Sequence, residues 1–217
     1  MFLAVDFHTH TFASKDSPTS AEQLVRACQR CGLDRIVVTD HNTIAGARAA
    51  QALDPERVIV GEEIMTTRGE ILAAYVSEEV PPGLSPQETI LRLRGQGAFV
   101  SVSHPFDAWR SGAWQLYDLL EIVPMVDAIE TFNARCMKPG ANRLAAAFAR
   151  AYGLAGTAGS DAHAAFELGT ARVVLPQFAG PDELRKVVGQ GEVSGKLSPF
   201  WVHFASRYAS LRKRVEV

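Results

Sequence analysis

Apolar runs of strand length alternate with helix-like segments along the whole chain. FLAV at the start, RIVVT ending at Thr39, RVIVG ending at Gly61 and EILAAYV from Glu70 read as strands. So do AFVSVS ending at Ser103, VDAIETF ending at Phe132, LAGTAG ending at Gly159 and ARVVL from Ala171. TSAEQLVRACQRCG predicts a helix, with Ser20 and Gln23 at capping-box spacing and Gly32 as its stop. SPQETILRLRGQG repeats that spacing with Ser85 and Glu88, and GANRLAAAFARAYG stops at Gly153. The last segment, SPFWVHFASRYASLRKRV, predicts a helix that closes against the wall of the domain. No linker or low-complexity stretch interrupts the alternation, so residues 1–217 read as a single α/β domain. Seven or eight βα units in this length suit a short (β/α) barrel or a doubly wound open sheet.

The histidines separate these two architectures. His8, His10, His41, His104 and His163 each follow the last apolar residue of a predicted strand, and Asp6, Asp16, Asp40, Glu62, Glu63, Asp107, Glu130 and Asp161 share those strand ends. In a barrel such ends converge on one rim, whereas an open sheet spreads them along a line. In the stretch VDFHTHTFASKD, His8 and His10 are two apart at a strand end, so their imidazoles aim at one point. Any one of these pieces has a bland reading: DHNT as a helix entry capped by Asp40 or Asn42, SDAH as a turn, SHP as a strand stop. Together they point to a metal centre, and neutral imidazole with carboxylate suits Zn²⁺, Mn²⁺ or Fe²⁺.

Composition narrows the partners. The chain is 47% hydrophobic and 21% charged, as expected of a globular protein with a substantial core. A net charge of −2 leaves little field for a long polyanion, so a small ligand is favoured and duplex DNA is not expected. Three cysteines do not form a disulfide framework, and the N-terminal apolar run is too short for a signal or membrane segment. These features predict a reduced cytoplasmic protein with no membrane association.

DFHTH, TDHNT, GEEI, SHPFD and GSDAH, in that order along nearly the whole chain, resemble the motifs of the PHP family, the polymerase and histidinol phosphatase domain superfamily. The resemblance implies a distorted seven-stranded (β/α) barrel, TIM-like, holding two or three divalent ions at the C-terminal rim. It implies that His8, His10, Glu63 and Asp161 surround one ion, that Glu63 bridges to a second served by His104, and that Asp16, His41 and His163 hold a third. Glu63, His104 and Asp161 then stand at the reaction centre. Some members place a histidine or cysteine at the end of the sixth strand; here IETFNARC offers Glu130, Asn133 or Cys136. Many carry a histidine in the strand after GEEI, where this chain has Glu70.

The family's usual chemistry is phosphoester hydrolysis by metal-activated hydroxide. Short loops after the strands predict an open site, fitting a small phosphate ester, a nucleotide or a short oligonucleotide. Asp6 and Asp40 are candidates to orient the imidazoles, and Arg110 and Arg135 to bind phosphate oxygens. Asp107 or His104 is a candidate proton donor to the leaving group, and Trp109 and Trp114 are candidates to line the mouth. The alternatives are amidohydrolase-type C–N hydrolysis, against which no strand-end lysine is found, and a non-catalytic metal-binding module. Cys28 and Cys31 read as core, His203 as packing or surface, and LRKRV as a solvated basic tail.

Overall fold

The computed structural model describes residues 1–215. Its strands are β1 (Phe2–Thr9), β2 (Arg35–Val38), β3 (Val58–Met65), β4 (Glu70–Ala74) and β5 (Phe99–Val102), then β6 (Ala128–Asn133), β7 (Ala155–Gly159), β8 (Ala171–Pro176) and β9 (Glu192–Gly195). The α-helices are α1 (Ala21–Arg30), α2 (Ala45–Leu53), α3 (Pro86–Gly95), α4 (Leu116–Ile122), α5 (Ala141–Tyr152), α6 (Pro181–Val187) and α7 (Val202–Val215). β9 has no counterpart in the sequence reading: its four residues are all exposed, so no apolar alternation marks it.

All nine strands form one sheet in the order β7-β6-β5-β4-β3-β2-β1-β8-β9. β1, β2 and β3 run parallel, as do β5, β6 and β7. The sheet curls until its ends meet: the His10 N–H donates to the Ala162 carbonyl at 2.9 Å and the Asp161 N–H to the His8 carbonyl at 2.8 Å. β1 to β7 therefore make a nearly closed barrel, and β8 and β9 continue antiparallel beyond β1. The barrel, not the open sheet, is the observed arrangement.

Two departures from a strict barrel matter for the site. β4 is antiparallel to both β3 and β5, so its first residue, Glu70, lies opposite Met65 near the end of β3. That places the start of β4 at the rim where the parallel strands end. The second departure is a register slip between Asp6 and Thr9 in the β1–β2 pairing. Leu3, Val5 and Phe7 belong to the interior cluster with Val37, Ile59 and Phe99. Strict alternation would turn His8 away from Phe7, and the bulge re-aims it toward the barrel mouth.

Local signals behave as the sequence suggests. Ser20 Oγ accepts from the Gln23 N–H at 3.2 Å while Gln23 Oε1 accepts from the Ser20 N–H at 2.9 Å, completing the capping box of α1. Gly153, with φ of 65°, ends α5 in the left-handed conformation. The start of α2 is capped from a distance: Glu79 Oε1 accepts from Thr43 Oγ1 at 2.6 Å and from the Ile44 N–H at 3.0 Å. Asp40 is thereby left for other work. Helices pack their apolar sides, including Leu24, Ile90, Leu93 and Phe148, against the outer face of the sheet.

Glu62 neighbours Glu63 on β3 but faces the opposite side of the strand, where one oxygen accepts from the Val80 N–H at 3.0 Å and the other has no partner. Burial, opposed by the Val80 bond, pushes its carboxyl up from 4.5 to about 7. A raised carboxyl binds more protons in the folded state, so its ionisation lowers stability progressively as pH rises from 4.5 to about 7. Glu62→Gln is expected to remove this dependence and to stabilise the fold by up to about 3 kcal/mol at pH 8, with no gain at pH 4. Denaturant melts at the two pH values check it, and an equal effect at both would contradict it.

Candidate metal centre

Glu63 stands at the centre of the rim. Its Oε2 lies 3.0 Å from His41 Nδ1, 3.3 Å from His8 Nε2 and 3.5 Å from His10 Nε2. Its Oε1 accepts from Ser103 Oγ at 2.7 Å and lies 3.4 Å from His104 Nε2. One carboxylate thus faces imidazoles from β1, from the β2 loop and from the β5 loop. Asp161 closes the other side, its Oδ1 lying 3.2 Å from His10 Nε2 and 3.6 Å from His8 Nε2. Asp161 sits in the left-handed region with φ of 53°, a strained setting for a non-glycine residue. Beside it, Gly159 on β7 leaves no room for a Cβ against His8.

Asp16 joins from the loop after β1, with Oδ2 3.1 Å from His163 Nε2 and Oδ1 3.7 Å from His41 Nε2. His10, His41 and His163 group together, as do His8, His10 and Glu63, with ligand atoms within 4.8 Å of one another. A third group of the same tightness is His41, Glu63 and Glu70. Glu70 Oε2 also lies 3.3 Å from His104 Nε2. The structure therefore brings together every residue read as a metal ligand from the sequence, and it adds Glu70. The end of β6 plays another part. Glu130 Oε1 takes His8 Nδ1 at 3.0 Å, and its Oε2 accepts from the His104 N–H at 2.8 Å and from Asn133 Nδ2 at 3.1 Å. Asn133 Nδ2 also donates to Asp161 Oδ2 at 3.1 Å. Glu130 and Asn133 are thus holders of other side chains, and Cys136 belongs to none of the three groups.

The two orienting carboxylates act differently from each other. Asp40 Oδ1 accepts from Ser14 Oγ at 2.6 Å, and Ser14 Oγ lies 3.1 Å from His10 Nδ1. Because Ser14 spends its proton on Asp40, it accepts the Nδ1–H of His10 and leaves Nε2 free for a ligand. Asp6 reaches no imidazole: its Oδ1 accepts backbone N–H bonds from His8 at 3.3 Å and Ser160 at 2.9 Å, tying β1 to the residue after β7.

These donors fit divalent ions. Glu63 Oε2, Asp161 Oδ1, Asp16 Oδ1 and both ring nitrogens of His104 are buried with no hydrogen-bond partner. Leaving so many buried polar atoms unsatisfied costs several kcal/mol unless a cation meets them. Burial and then the charge of Glu63 push the Glu70 carboxyl up, a sign of crowded negative charge. Burial disfavours a charged His41, yet Glu63 and Asp16 raise it to about 9. His8 is likewise held well above its ordinary value, burial being outweighed by Glu63, Asp161 and Glu130.

Arg110 forms an ion pair with Asp161 Oδ2. Arg135 is largely committed: its Nη2 donates to the Val202 carbonyl at 3.1 Å and to Ser206 Oγ at 2.8 Å, and its Nε lies 3.4 Å from Glu167 Oε2. Asp107 staples a loop, accepting from the N–H groups of Met137 and Lys138 at 2.7 and 2.9 Å. Trp109 is exposed, whereas Trp114 is buried and donates to the Glu70 carbonyl at 3.1 Å.

The last helix corrects four expectations. Rather than lying on the barrel wall, α7 spans the rim from Arg135 after β6 to the loop after β1. There Lys213 Nζ donates to the carbonyls of Phe12, Ser14 and Ser17 at 2.6, 2.7 and 2.8 Å. The basic segment is thus a clasp at Lys213, not a solvated tail. His203 lines the cavity beside the centre, and burial with Arg135 and Arg110 lowers it to about 4. The site is walled on this side, not open.

Ser14→Ala breaks the chain from Asp40 to His10. Loss of such an orienting partner is expected to weaken metal binding about 10- to 100-fold with the fold intact. Competition with a chromophoric chelator measures this, and unchanged affinity would show that the relay does not position His10.

A model of the PHP domain matches residues 6–97, and a model described as PHP-associated matches residues 139–193. An uncharacterized protein of Methanocaldococcus jannaschii is 32% identical over 187 residues, covering 84% of this chain and 75% of the relative. Among solved structures, a two-domain protein of Bacteroides vulgatus, described as containing a predicted PHP-like metal-dependent phosphoesterase, aligns over 90% of this chain. Its TM-score is 0.71 at 18% identity, and this chain spans 65% of its length. A lesion-specific endonuclease of Pyrococcus furiosus aligns with a TM-score of 0.60 at 14% identity, over 89% of this chain and 58% of its own. An amidohydrolase of Chromobacterium violaceum has a TM-score of 0.56 at 15% identity, over 94% and 96%. At such identities these structures share the fold, while the matched models and the ordered motifs establish that the chain belongs to the PHP family.

Proposed function

We propose that this protein is a divalent-metal-dependent phosphoesterase acting on a small phosphate ester. The observation that carries the reading is the sharing of Glu63 between two groups of ligand atoms, with the second oxygen of the same carboxylate turned to His104. A donor set of imidazole and carboxylate suits Mn²⁺, Zn²⁺ or Fe²⁺. Ions bound there supply Lewis acidity that lowers the pKa of water and neutralises charge building on phosphate oxygens. His8, His10, Glu63 and Asp161 would hold one ion, Glu63, His104 and Glu70 a second, and Asp16, His41 and His163 a third.

The chain's own groups contribute binding and orientation. Arg110 sits at the edge of Asp161, where its fork can pair with phosphate oxygens while remaining anchored. Arg135 is buried and already bonded, so its effect on an anion is the field of a fixed positive charge. The carboxylates aimed at the rim exclude an anionic substrate unless cations offset them, which makes substrate binding depend on metal. The cavity beside the centre measures about 290 Å³. That size suits a small ester better than an oligonucleotide, whose successive bases stack on broad aromatic platforms; the residues lining this cavity include no Phe, Tyr or Trp.

The experiment is chelation followed by return of Mn²⁺, Zn²⁺, Fe²⁺ or Mg²⁺ against a panel: a phosphomonoester, a diester, a nucleoside 3′,5′-bisphosphate, a short RNA and an amide. Hydrolysis of a phosphoester that disappears on chelation is expected, with Asp161→Asn lowering kcat/KM at least 100-fold. Cleavage of the amide alone would favour C–N hydrolysis. Metal binding without cleavage of any compound would contradict the enzymatic reading.

A further inference from the structure

α7 is amphipathic in the reverse of the usual sense. Phe204, Tyr208 and Leu211, spaced i, i+4 and i+7, are 63%, 69% and 55% exposed. His203, Arg207 and Ser210 repeat that spacing one position earlier and line the cavity beside the metal centre, His203 and Ser210 half-buried and Arg207 exposed. A helix seated by apolar burial would turn the other way. Besides the buried Val202 and Ala209, two cationic clasps hold this one: Arg135 on the Val202 carbonyl and Ser206, and Lys213 on three carbonyls of the loop that carries Asp16. A polar face held inward over a cavity calls for a polar occupant.

The cavity has two sides. Asp16, His163 and Arg110 form its floor, and His203, Arg207 and Ser210 form the wall opposite. A reacting phosphate belongs at the floor, next to the ligand-bearing side chains. Across a space of about 290 Å³, small beside the roughly 300–1,000 Å³ usual for ligand pockets, one molecule touches both sides. The guanidinium of Arg110 is paired with Asp161 and that of Arg135 with Glu167. Arg207 lines the same space without a hydrogen bond or ion pair among the described residues. Its planar fork matches a carboxylate or a phosphate, and the Ser210 hydroxyl adds a donor one turn away.

We propose that the inward face of α7, with Arg207 at its centre and His203 and Ser210 flanking it, binds a second anionic group on the non-reacting half of the substrate. The inference rests on the phosphoesterase reading and narrows it to small esters bearing a second phosphate or a carboxylate. α7 would then be the specificity wall of the site, and the inward stripe is polar because it touches ligand.

The test compares the metal-loaded wild type with Arg207→Ala, Arg207→Lys and, as a control on the outward face, Tyr208→Ser. The probes are propyl phosphate, 3-(phosphonooxy)propanoate and propane-1,3-diyl bisphosphate. Calorimetric binding and, where turnover occurs, kcat/KM are measured together with metal content. Wild type is expected to favour the two esters that carry an anionic group at the far end at least tenfold over propyl phosphate. Arg207→Ala should abolish that preference through binding and KM, leaving propyl phosphate, kcat and metal content unchanged. Arg207→Lys should recover part of the preference, and Tyr208→Ser all of it. Preference for only one of the two distal groups identifies which anion is read. Equal binding of all three probes by wild type, or an Arg207→Ala protein with the wild-type preference, overturns the inference. Preferential binding without hydrolysis would sustain it while overturning the catalytic reading.

Discussion

The rim is organised around the carboxylate of Glu63. Burial alone would keep this group protonated, yet His8 and His41 hold it well below the usual carboxylate range. Its two oxygens divide the site: one turns to the imidazoles of β1 and the β2 loop, the other to His104 and Ser103. A buried anion at a crossing point of several strands is tolerable only when its partners are fixed in place, and much of the surrounding structure does that fixing. The Glu63 N–H donates to the Asp40 carbonyl at 3.2 Å and its carbonyl accepts from the Asn42 N–H at 2.8 Å. The residues that bring His41 alongside are therefore tied to the backbone of Glu63 itself.

Strand geometry delivers the remaining ligands. The parallel strands end at one rim, the bulge in β1 turns His8 inward after Phe7, and the β1–β7 seam joins His8 to Asp161 by a backbone bond. A second register slip, between Glu130 and Phe132, lies where β6 supplies the acceptor for His8 Nδ1. Irregular pairing at these two points belongs to the site's construction, since each re-aims a polar side chain that regular pleating would misplace.

The barrel, most of its strands and the main ligand set were legible because His8, His10, His41, His104 and His163 each had a carboxylate nearby at the end of an apolar run. Glu70 was legible only as the residue standing where many family members carry a histidine, without a role of its own, because β4 runs backwards and brings its first residue, not its last, to the rim. The role of Glu130 was hidden for another reason: a carboxylate near a metal centre can ligate or orient, and only the distance to His8 Nδ1 distinguishes them. β9 and the inward polar stripe of α7 escaped because neither shows apolar burial, the signal on which periodicity depends. His203 and Lys213 look ordinary in sequence, and their positions follow from contacts spanning some 70 to 200 residues.

In this account the metal groups are coupled through one side chain, so they should not behave as independent sites. The most direct measurement is the number of ions per chain, by elemental analysis after equilibration with Mn²⁺ or Zn²⁺, in the wild type and in Glu63→Ala. The account predicts at least two ions in the folded wild type and the loss of more than one from the variant, with circular dichroism unchanged. Loss of a single ion or none would contradict a centre built on Glu63.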